Sequence, residues 1–295
     1  MKLKSIIALL IIVSLTSCSS DDQYIGTIQM SEERPVFNNS DPVGVKAQEM
    51  YNNYGVIFKP IFSFEEFSWD WNNTLSSYPT GTTGFRYTDA NLTVSVEVMD
   101  SVKSWVFDVF PQSFIRQNLP IKILMADTLC NRFLYRNEII VREWDGNITA
   151  NYTIIGYTST RFEQLKKQRF LVENWLSLFV EKMVNSGRLS IPLRFIELSS
   201  TGFAKASFTN SEDVTVNYGI LRKSRKKQNT GSTTASWYKT EPAQDFGDFV
   251  SFIVYTPDNV KQSIYQKNEN IQVKENIVKD YFRDNFDIEL PRRPR

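Results

Sequence analysis

The fold is decided by residues 164–189, which read QLKKQRFLVENWLSLFVEKMVNSGRL. Apolar side chains recur here at the three- and four-residue spacing of an α-helix, and they cover an arc too wide for a helix with one face in water. The stretch therefore predicts a central helix that is buried on most of its surface. The apolar positions are Leu171, Val172, Trp175, Leu176, Leu178, Phe179, Met183 and Val184.

A narrow polar stripe follows the same predicted helix. Glu173, Ser177 and Glu181 succeed one another at four-residue spacing, with Asn174 and Asn185 beside them. A helix uses this spacing to aim two ligands at one metal ion, as in the HExxH zinc peptidases. The chain contains no histidine. HExxH, a Ser-His-Asp triad and a Cys-His pair are therefore excluded by composition.

The composition is that of a packed globular protein. Of 295 residues, 41% are hydrophobic and 23% are charged, which supplies enough apolar material for one large domain or two small ones. The formal net charge is +1. A charge this small gives no reason to expect a nucleic-acid partner.

The first residues form an export signal. Lys2 and Lys4 precede a short apolar segment, and the sequence LTSC at residues 15–18 closes it. This tetrapeptide resembles the lipobox of bacterial lipoproteins. The resemblance implies that residues 1–17 are a signal peptide, which is removed, and that Cys18 is lipidated and anchors the protein to a membrane.

The residues after Cys18 indicate where in the cell the protein is located. Residues 19–22, SSDD, look like the acidic signal that sends lipoproteins to the cell surface in Gram-negative bacteria with SusC/SusD-type transporters. A plain polar tether is the alternative. We expect an outer-membrane protein facing the cell exterior, with a lipidated tether over 18–39 and a single domain over 40–295. Since only Cys130 then remains as a thiol, no internal disulfide is expected.

Shorter patterns predict the other regular elements. Asp41, Pro42 and Gly55 have the residue types that begin and end a helix between them. Other stretches have the spacing of strands or amphipathic helices. The predicted elements are a helix over 42–53, a strand over 55–62, a helix that ends at Phe110, strands over 120–126 and 151–158, and a closing helix over 269–286.

Other segments are predicted to be irregular or ambiguous. Residues 191–196, which follow the central helix, are predicted to begin an extended segment. Residues 249–255 are predicted to form either a strand or a short buried helix. The tail PRRPR at 291–295 is predicted to be frayed. Residues 222–227, RKSRKK, carry five positive charges in a run and continue into a polar stretch. A solvated loop is the ordinary interpretation, and a contact with anionic lipopolysaccharide or an acidic partner is the alternative.

A cluster of five aromatic residues begins at the last residue of the first predicted strand. They are more typical of core packing than of a carbohydrate platform, although exposed aromatic rings on a surface lipoprotein would be natural groups for stacking on sugars. The five are Phe62, Phe64, Phe67, Trp69 and Trp71.

The order of the pieces resembles a family of surface lipoproteins described as zinc-binding metallopeptidases and found beside SusC/SusD-like genes. The resemblance implies an α+β, zincin-like domain in which a small twisted sheet packs on the central buried helix. The pieces that carry it are the lipobox, the helix and strand over 50–62, residues 119–123 after Phe110 and Pro111, the central helix, IPLRF at 191–195, DFVS at 248–251, and a terminal helix with Lys274 and Tyr281.

In active members of that family the central helix carries HExxH, and a downstream acidic residue is the third zinc ligand. The matching positions here are Ser177, Leu178 and Glu181, with Asp258 in the place of the third ligand. The resemblance therefore implies a degenerate site without metal, and no cofactor beyond the lipid anchor. Calcium or magnesium at Glu181 and Asp258 is an alternative, but two carboxylates without further oxygen ligands make a poor site.

Three functions compete on these grounds. The first is a catalytically inactive accessory or structural subunit of an outer-membrane complex, whose partner is a β-barrel protein or SusD-like lipoprotein of a SusC/SusD-type transporter or of the β-barrel assembly machinery. The second is a lipoprotein that binds glycan or peptide at the cell surface. The third is a hydrolase that uses two carboxylates, although nothing in the sequence pairs any two acids.

Overall fold

The structure is a computed structural model that describes residues 35–68, 84–119, 122–135, 138–149, 151–203, 207–209, 216–221, 226–228, 236–238 and 241–294. The signal peptide, Cys18, most of the tether, Trp69 and Trp71 lie outside the described residues. Residues Phe37–Arg295 cluster as one compact unit. None of the described helices has both the length and the apolar character needed to cross a bilayer.

The described helices are numbered here in chain order. They are α1 Pro42–Tyr54, α2 Phe64–Ser68, α3 Leu92–Trp105, α4 Gln112–Asn118, α5 Phe162–Leu165, α6 Arg169–Asn185, α7 Leu193–Glu197, α8 Ser200–Phe203, α9 Pro242–Tyr255, α10 Asp258–Tyr265 and α11 Asn270–Phe286, with a 3₁₀ turn at Phe107–Val109.

The strands are numbered in the same way. They are β1 Ile57–Lys59, β2 Gly84–Asp89, β3 Lys122–Tyr135, β4 Glu138–Trp144, β5 Gly146–Ile148, β6 Thr153–Ile155, β7 Ser207–Thr209, β8 Lys226–Gln228 and β9 Ser236–Tyr238. Together with the helices they make a mixed α+β fold.

The long strand β3 organises the sheet. Its first half pairs in parallel with β1 and β6, and its second half pairs antiparallel with β2 and β4. Strand β8 adds to β4, and β5 adds to β6. Strands β7 and β9 form a separate two-stranded ribbon. Because β3 changes partners halfway along, a single strand joins the two parts of the sheet.

The predicted central helix is confirmed as α6. Every residue from Leu171 to Val180 is buried, and α6 packs against α9 and against β5 of the sheet. It begins at Arg169, five residues later than predicted, because residues 162–165 form the separate short helix α5. It ends at Asn185, and just beyond this end Gly187 has φ 71° and Arg188 N donates to Met183 O at 2.9 Å.

Helix α1 also begins and ends where its caps predict. The Asp41 carboxylate accepts from Gly44 N at 2.8 Å, and Pro42 occupies the first turn. Gly55 adopts a left-handed φ of 71° and donates to Tyr51 O at 2.8 Å. A glycine suits this position because other residues adopt positive φ only at a cost.

Two predictions about the segments around α9 are resolved. Residues 249–255 belong to a helix, since they continue α9 from Pro242. The predicted extended exit at 191–196 is wrong, because Leu193–Glu197 form α7. Pro192 has φ −56°, which suits a helix start, and the turn is held because Phe195 is buried against the rings of Phe246 and Phe249.

The basic segment, predicted to be a solvated loop, and the C-terminal tail, predicted to be frayed, are both ordered in part. Residues 226–227 of the basic segment, with the next residue, Gln228, pair with β4 as strand β8, whereas residues 222–225 lie outside the described residues. The tail is not frayed at Arg293, whose backbone N donates to Val254 O at 2.7 Å. The Arg293 guanidinium donates to Ser104 O at 3.0 Å and to Asp108 O at 2.6 Å. The tail therefore ties α9 to the end of α3.

Candidate functional site

The centre of the predicted site lies in the contact between α6 and α9. Ser177 is fully buried, and its hydroxyl donates to a carboxylate oxygen of Asp248, which is also fully buried. The helices meet closely because Gly247 faces Ser177. A Cβ on Gly247 would lie 2.4 Å from Ser177 O. Glycine at this position lets the two helix backbones approach each other, and the approach brings the Asp248 carboxylate of α9 within hydrogen-bonding distance of Ser177 on α6.

The next predicted position, Leu178, faces the sheet. A Cβ on Gly146 would lie 2.6 Å from Leu178 Cδ2 and 2.7 Å from Ile154 O. Gly146 is therefore a close contact between helix and strand β5. In an HExxH peptidase this position of the helix would carry the general-base carboxylate. Here it carries an apolar side chain packed against backbone.

The two remaining predicted positions lie apart from the Ser177 hydrogen bond. Glu181 is partly exposed, one turn further along α6. Asp258 is the first residue of α10, where its exposed side chain forms an ion pair with Arg292 of the tail. The acidic residue that meets Ser177 is thus Asp248, which precedes Asp258 by ten residues. The DFVS segment that carried the resemblance begins at Asp248 but was not predicted to be part of the site.

A second acidic residue of α9, Asp245, forms a buried ion pair. Its partner is Lys274 of α11, and both side chains have 0% exposure. The Lys274 ammonium also donates to Ser199 Oγ at 2.8 Å and to Gly219 O at 2.9 Å. Asp245 accepts from Leu221 N at 2.9 Å through its other oxygen. The pair links α9 to α11 and to the described residues 216–221.

The setting of the Lys274 ammonium is aromatic as well as ionic. It lies 3.9 Å from the ring centroid of Phe195 and 4.7 Å from that of Phe249, distances typical of cation–π contact. Burial lowers the pKa of Lys274 and raises the pKa of Asp245, and the contact between them opposes both shifts. Because both groups are fully buried, this cluster is a structural contact.

A third buried polar cluster lies near the start of α6. The Asn174 side chain donates to the Asp145 carboxylate, and Trp175 Nε1 donates to Asp145 O at 3.1 Å. Tyr157 has φ 68°, an uncommon conformation for an aromatic residue. Its burial, together with the Asp145 charge, raises the pKa of Tyr157, so the phenol stays protonated. This cluster fastens the β4–β5 corner to the central helix.

The sequence predicted the polar stripe of α6 but not that the stripe is turned inward at Ser177, nor which residues it contacts. Asp145, Asp245 and Asp248 were not predicted as site residues. One signal was available: two aspartates three residues apart, in DFGDFVSFIVY at 245–255, interrupt an otherwise apolar stretch. In a buried helix such residues need donors from neighbouring elements.

The residues at the predicted position do not fit zinc. Catalytic zinc requires about three nitrogen, sulfur or carboxylate ligands and an open position for water. Here the Ser177 hydroxyl donates a hydrogen bond to Asp248, and Leu178 packs on β5. Within the described ranges, no three His, Cys, Asp or Glu side chains are grouped so as to hold a metal ion.

Comparison with known proteins shows which solved structure has a similar fold. The chain matches no family model and no curated protein sequence. It is similar to a crystal structure described as a "putative zinc-binding metallo-peptidase" from Bacteroides caccae, with a TM-score of 0.51 and 12% sequence identity, over 87% of this chain and 91% of that one. At this identity the similarity concerns the fold alone, which is metallopeptidase-like.

Proposed function

We propose that this protein is a catalytically inactive, zincin-like lipoprotein that acts as an accessory subunit of an outer-membrane complex. The observation that carries the proposal is the buried Ser177–Asp248 hydrogen bond in the contact between the central helix and α9. In a metallopeptidase-like fold, the central helix is the element expected to present the zinc ligands. In this chain the same element uses its inward polar group to bind a neighbouring helix.

Chemistry supports the inactive interpretation. The chain has no histidine, so an imidazole ligand cannot be recovered from another part of the sequence. A carboxylate-only site would favour harder cations than zinc. The general-base position carries Leu178, which has no proton to exchange. The scaffold is therefore expected to have a role in binding or assembly that does not involve peptide hydrolysis.

The proposed location and partner rest on the N-terminal sequence. LTSC at 15–18 and the acidic residues that follow support lipidation at Cys18 and display on the outer surface of the outer membrane. A folded body on a short tether remains close to integral proteins of that membrane. The expected partner is a β-barrel protein or SusD-like lipoprotein, within a SusC/SusD-type transporter or the β-barrel assembly machinery.

The test is affinity purification of the tagged protein from membranes dissolved in mild detergent. We expect a β-barrel protein to co-purify in stoichiometric amount. We expect the Cys18→Ala variant to be absent from the membrane fraction and to purify without that partner. Purification of the wild-type protein alone would refute the accessory role.

Inactivity is tested separately on the same purified material. We expect no stoichiometric zinc by elemental analysis and no proteolysis that a chelator abolishes. Zinc near one equivalent per chain, with a chelator-sensitive activity that is lost in Glu181→Gln, would show a working peptidase.

A further inference from the structure

A polar pocket opens between α10, α11 and the C-terminal tail, and its volume is about 170 Å³. One water molecule requires roughly 15 Å³ on this kind of measure, so the pocket has room for a small organic molecule. We call it the α10–α11 pocket. Its charged and aromatic lining consists of Asp258, Lys261, Tyr265, Glu275, Lys279 and Arg292.

The floor of the pocket is a fixed ion pair. Lys261 and Glu275 are each 4% exposed, and their charged atoms lie 3.0 Å apart. Lys261 also donates to Ile253 O at 3.3 Å, and the Tyr265 hydroxyl donates to Glu275. Burial raises the pKa of Tyr265, as does its bond to Glu275, so this hydroxyl remains a donor. The floor is therefore held together by several hydrogen bonds among these buried groups.

The rim of the pocket is built from exposed groups. Lys279 has a 42% exposed side chain and forms a second ion pair with Glu275. Arg292 and Asp258, with side chains 51% and 63% exposed, form a pair at the mouth. Ion pairs between exposed side chains contribute little to stability because solvent screens them, so Arg292 can exchange Asp258 for a ligand at little energetic cost. Glu275 keeps Lys261 and Tyr265 as partners when Lys279 turns to a ligand.

The charges of the lining do not cancel. The pocket residues include three cations, Lys261, Lys279 and Arg292, and two carboxylates, Asp258 and Glu275. The surplus of one positive charge fits a ligand with one negative charge. Phosphate is a mixture of the monoanion and the dianion at neutral pH, and the dianion would leave surplus negative charge close to two carboxylates. A carboxylate matches both the charge and the planar donor geometry of the arginine.

We propose that the α10–α11 pocket binds a small organic molecule through a single carboxylate, which Lys279 and Arg292 hold at the rim. The amide side chains of Gln272 and Asn276, which also line the pocket, both donate and accept hydrogen bonds, and they suit hydroxyl or amide groups on the rest of the molecule. A sugar acid and an amino acid share this chemistry. The proposal does not depend on the accessory role of the protein.

Calorimetric titration of the full-length protein in detergent tests the proposal. The probes are glucuronate for sugar acids and N-acetylglycine for amino acids, with glucose and inorganic phosphate as comparisons. We expect millimolar or tighter binding of at least one carboxylate, the preferred probe identifying the source, and much weaker binding of glucose and phosphate.

Variants connect binding to the rim. We expect Lys279→Ala and Arg292→Ala each to weaken carboxylate binding at least tenfold. We expect Asp258→Asn to strengthen it several-fold, because Arg292 then loses its competing partner. Arg283→Ala is the matched control, since Arg283 is an exposed arginine of α11 that pairs with Asp280 and Asp284 and does not line the pocket. Circular dichroism checks that each variant is folded.

Three results would overturn the proposal. The first is the absence of binding by both carboxylates at concentrations far above the millimolar range. The second is binding of phosphate or glucose as tight as that of the better carboxylate. The third is carboxylate binding that is unchanged in both Lys279→Ala and Arg292→Ala. Neither the purification partner nor the zinc content enters these outcomes, so they are independent of the tests of the proposed function.

Discussion

The contacts of α9 and the α10–α11 pocket use the same residue types in opposite settings. On α9, Asp245 and Asp248 are fully buried, and each meets a donor from another helix, Lys274 on α11 and Ser177 on α6. In the pocket, Asp258 pairs in the open with Arg292, and the buried carboxylate Glu275 meets the exposed cation Lys279. The first region is closed to solvent, and the second is open.

This difference separates structural charges from charges that are available to a ligand. A buried carboxylate with donors from its own chain stabilises the fold, and no ligand reaches it. A cation on an open rim loses little when it changes partner, because water and salt already weaken its ion pair. The central helix α6 thus lies in the closed region, whereas the open charged pocket lies on α10, α11 and the tail.

The largest effect is expected at the buried ion pair. Lys274→Ala should lower the free energy of unfolding by about 3–5 kcal/mol, because Asp245 stays buried without its cation. Urea denaturation measures the change. The double variant Lys274→Met with Asp245→Leu should regain most of the loss, since an apolar pair can replace a buried ion pair. A loss of less than about 1 kcal/mol in the single variant would place this pair with the exposed ones.

The next effect concerns the close approach of α9 to α6. Gly247→Ala should cost about 2–3 kcal/mol, because the new methyl group would lie 2.4 Å from Ser177 O and backbone must move to admit it. Gly187→Ala is a useful comparison. No atom lies within 4 Å of its added Cβ, and its left-handed φ of 71° alone should cost about 1 kcal/mol. Equal losses in the two variants would contradict a tight helix contact at Gly247.

A smaller effect is expected for the hydrogen bond itself. Ser177→Ala removes a donor from the buried Asp248 carboxylate and should cost about 1.5 kcal/mol, the lower range for a hydrogen bond to a charged group. Ser263→Ala, at an exposed position of α10, should change the stability by much less. Thermal unfolding of the two variants side by side measures this difference. An unchanged melting temperature in Ser177→Ala would show that the bond does not stabilise the contact.

The parts of the fold that could be predicted depend on local signals. The central helix follows from its periodicity, and α1 follows from Asp41, Pro42 and Gly55, whose roles act within one turn. The closing helix α11 was predicted to within one residue at its start. In each case the residues that decide the element lie inside or next to it.

The parts that could not be predicted depend on distant partners. Helix α7 has only five residues, too few to show a period, and it is held by Phe195 packing on α9. Arg293 is ordered by the carbonyl oxygens of Val254, Ser104 and Asp108. Every residue has a carbonyl oxygen, so no residue type in the sequence marks these partners.

The candidate site divides in the same way. Helical spacing placed Ser177 on the polar stripe of α6, and the structure shows that this position of the stripe is buried. Its partner Asp248 lies 71 residues further along the chain, and the choice between Asp248 and Asp258 depends on where α9 ends and α10 begins. Pro257 indicates that α9 ends at or before Thr256, but the local pattern does not show which of the two carboxylates faces α6.

The smallest effect should appear at a carboxylate of intermediate exposure. Glu66 of α2 binds Lys59 and Lys122 at 2.6 and 2.7 Å, and its side chain is 19% exposed. Burial alone would raise the pKa of Glu66, but the hydrogen bonds and charges of the two lysines lower it below its ordinary value. A carboxylate with a lowered pKa in the folded state stabilises the protein fully above its unfolded pKa, and that contribution disappears as the pH falls through the folded pKa.

We therefore expect Glu66→Gln to cost at most about 1 kcal/mol at pH 7, after allowance for solvent screening. The difference from the wild-type protein should shrink as the pH falls below about 4. Urea denaturation at a series of pH values measures this gap, and Glu65→Gln on the same turn controls for the loss of one negative charge. A gap that stays constant down to pH 3 would show that the lysines do not hold the carboxylate in its ionised form. A loss of unfolding free energy well above 1 kcal/mol would instead show that Glu66 contributes as much as the buried carboxylates of α9. The exposure of a carboxylate would then not predict how much it contributes to stability.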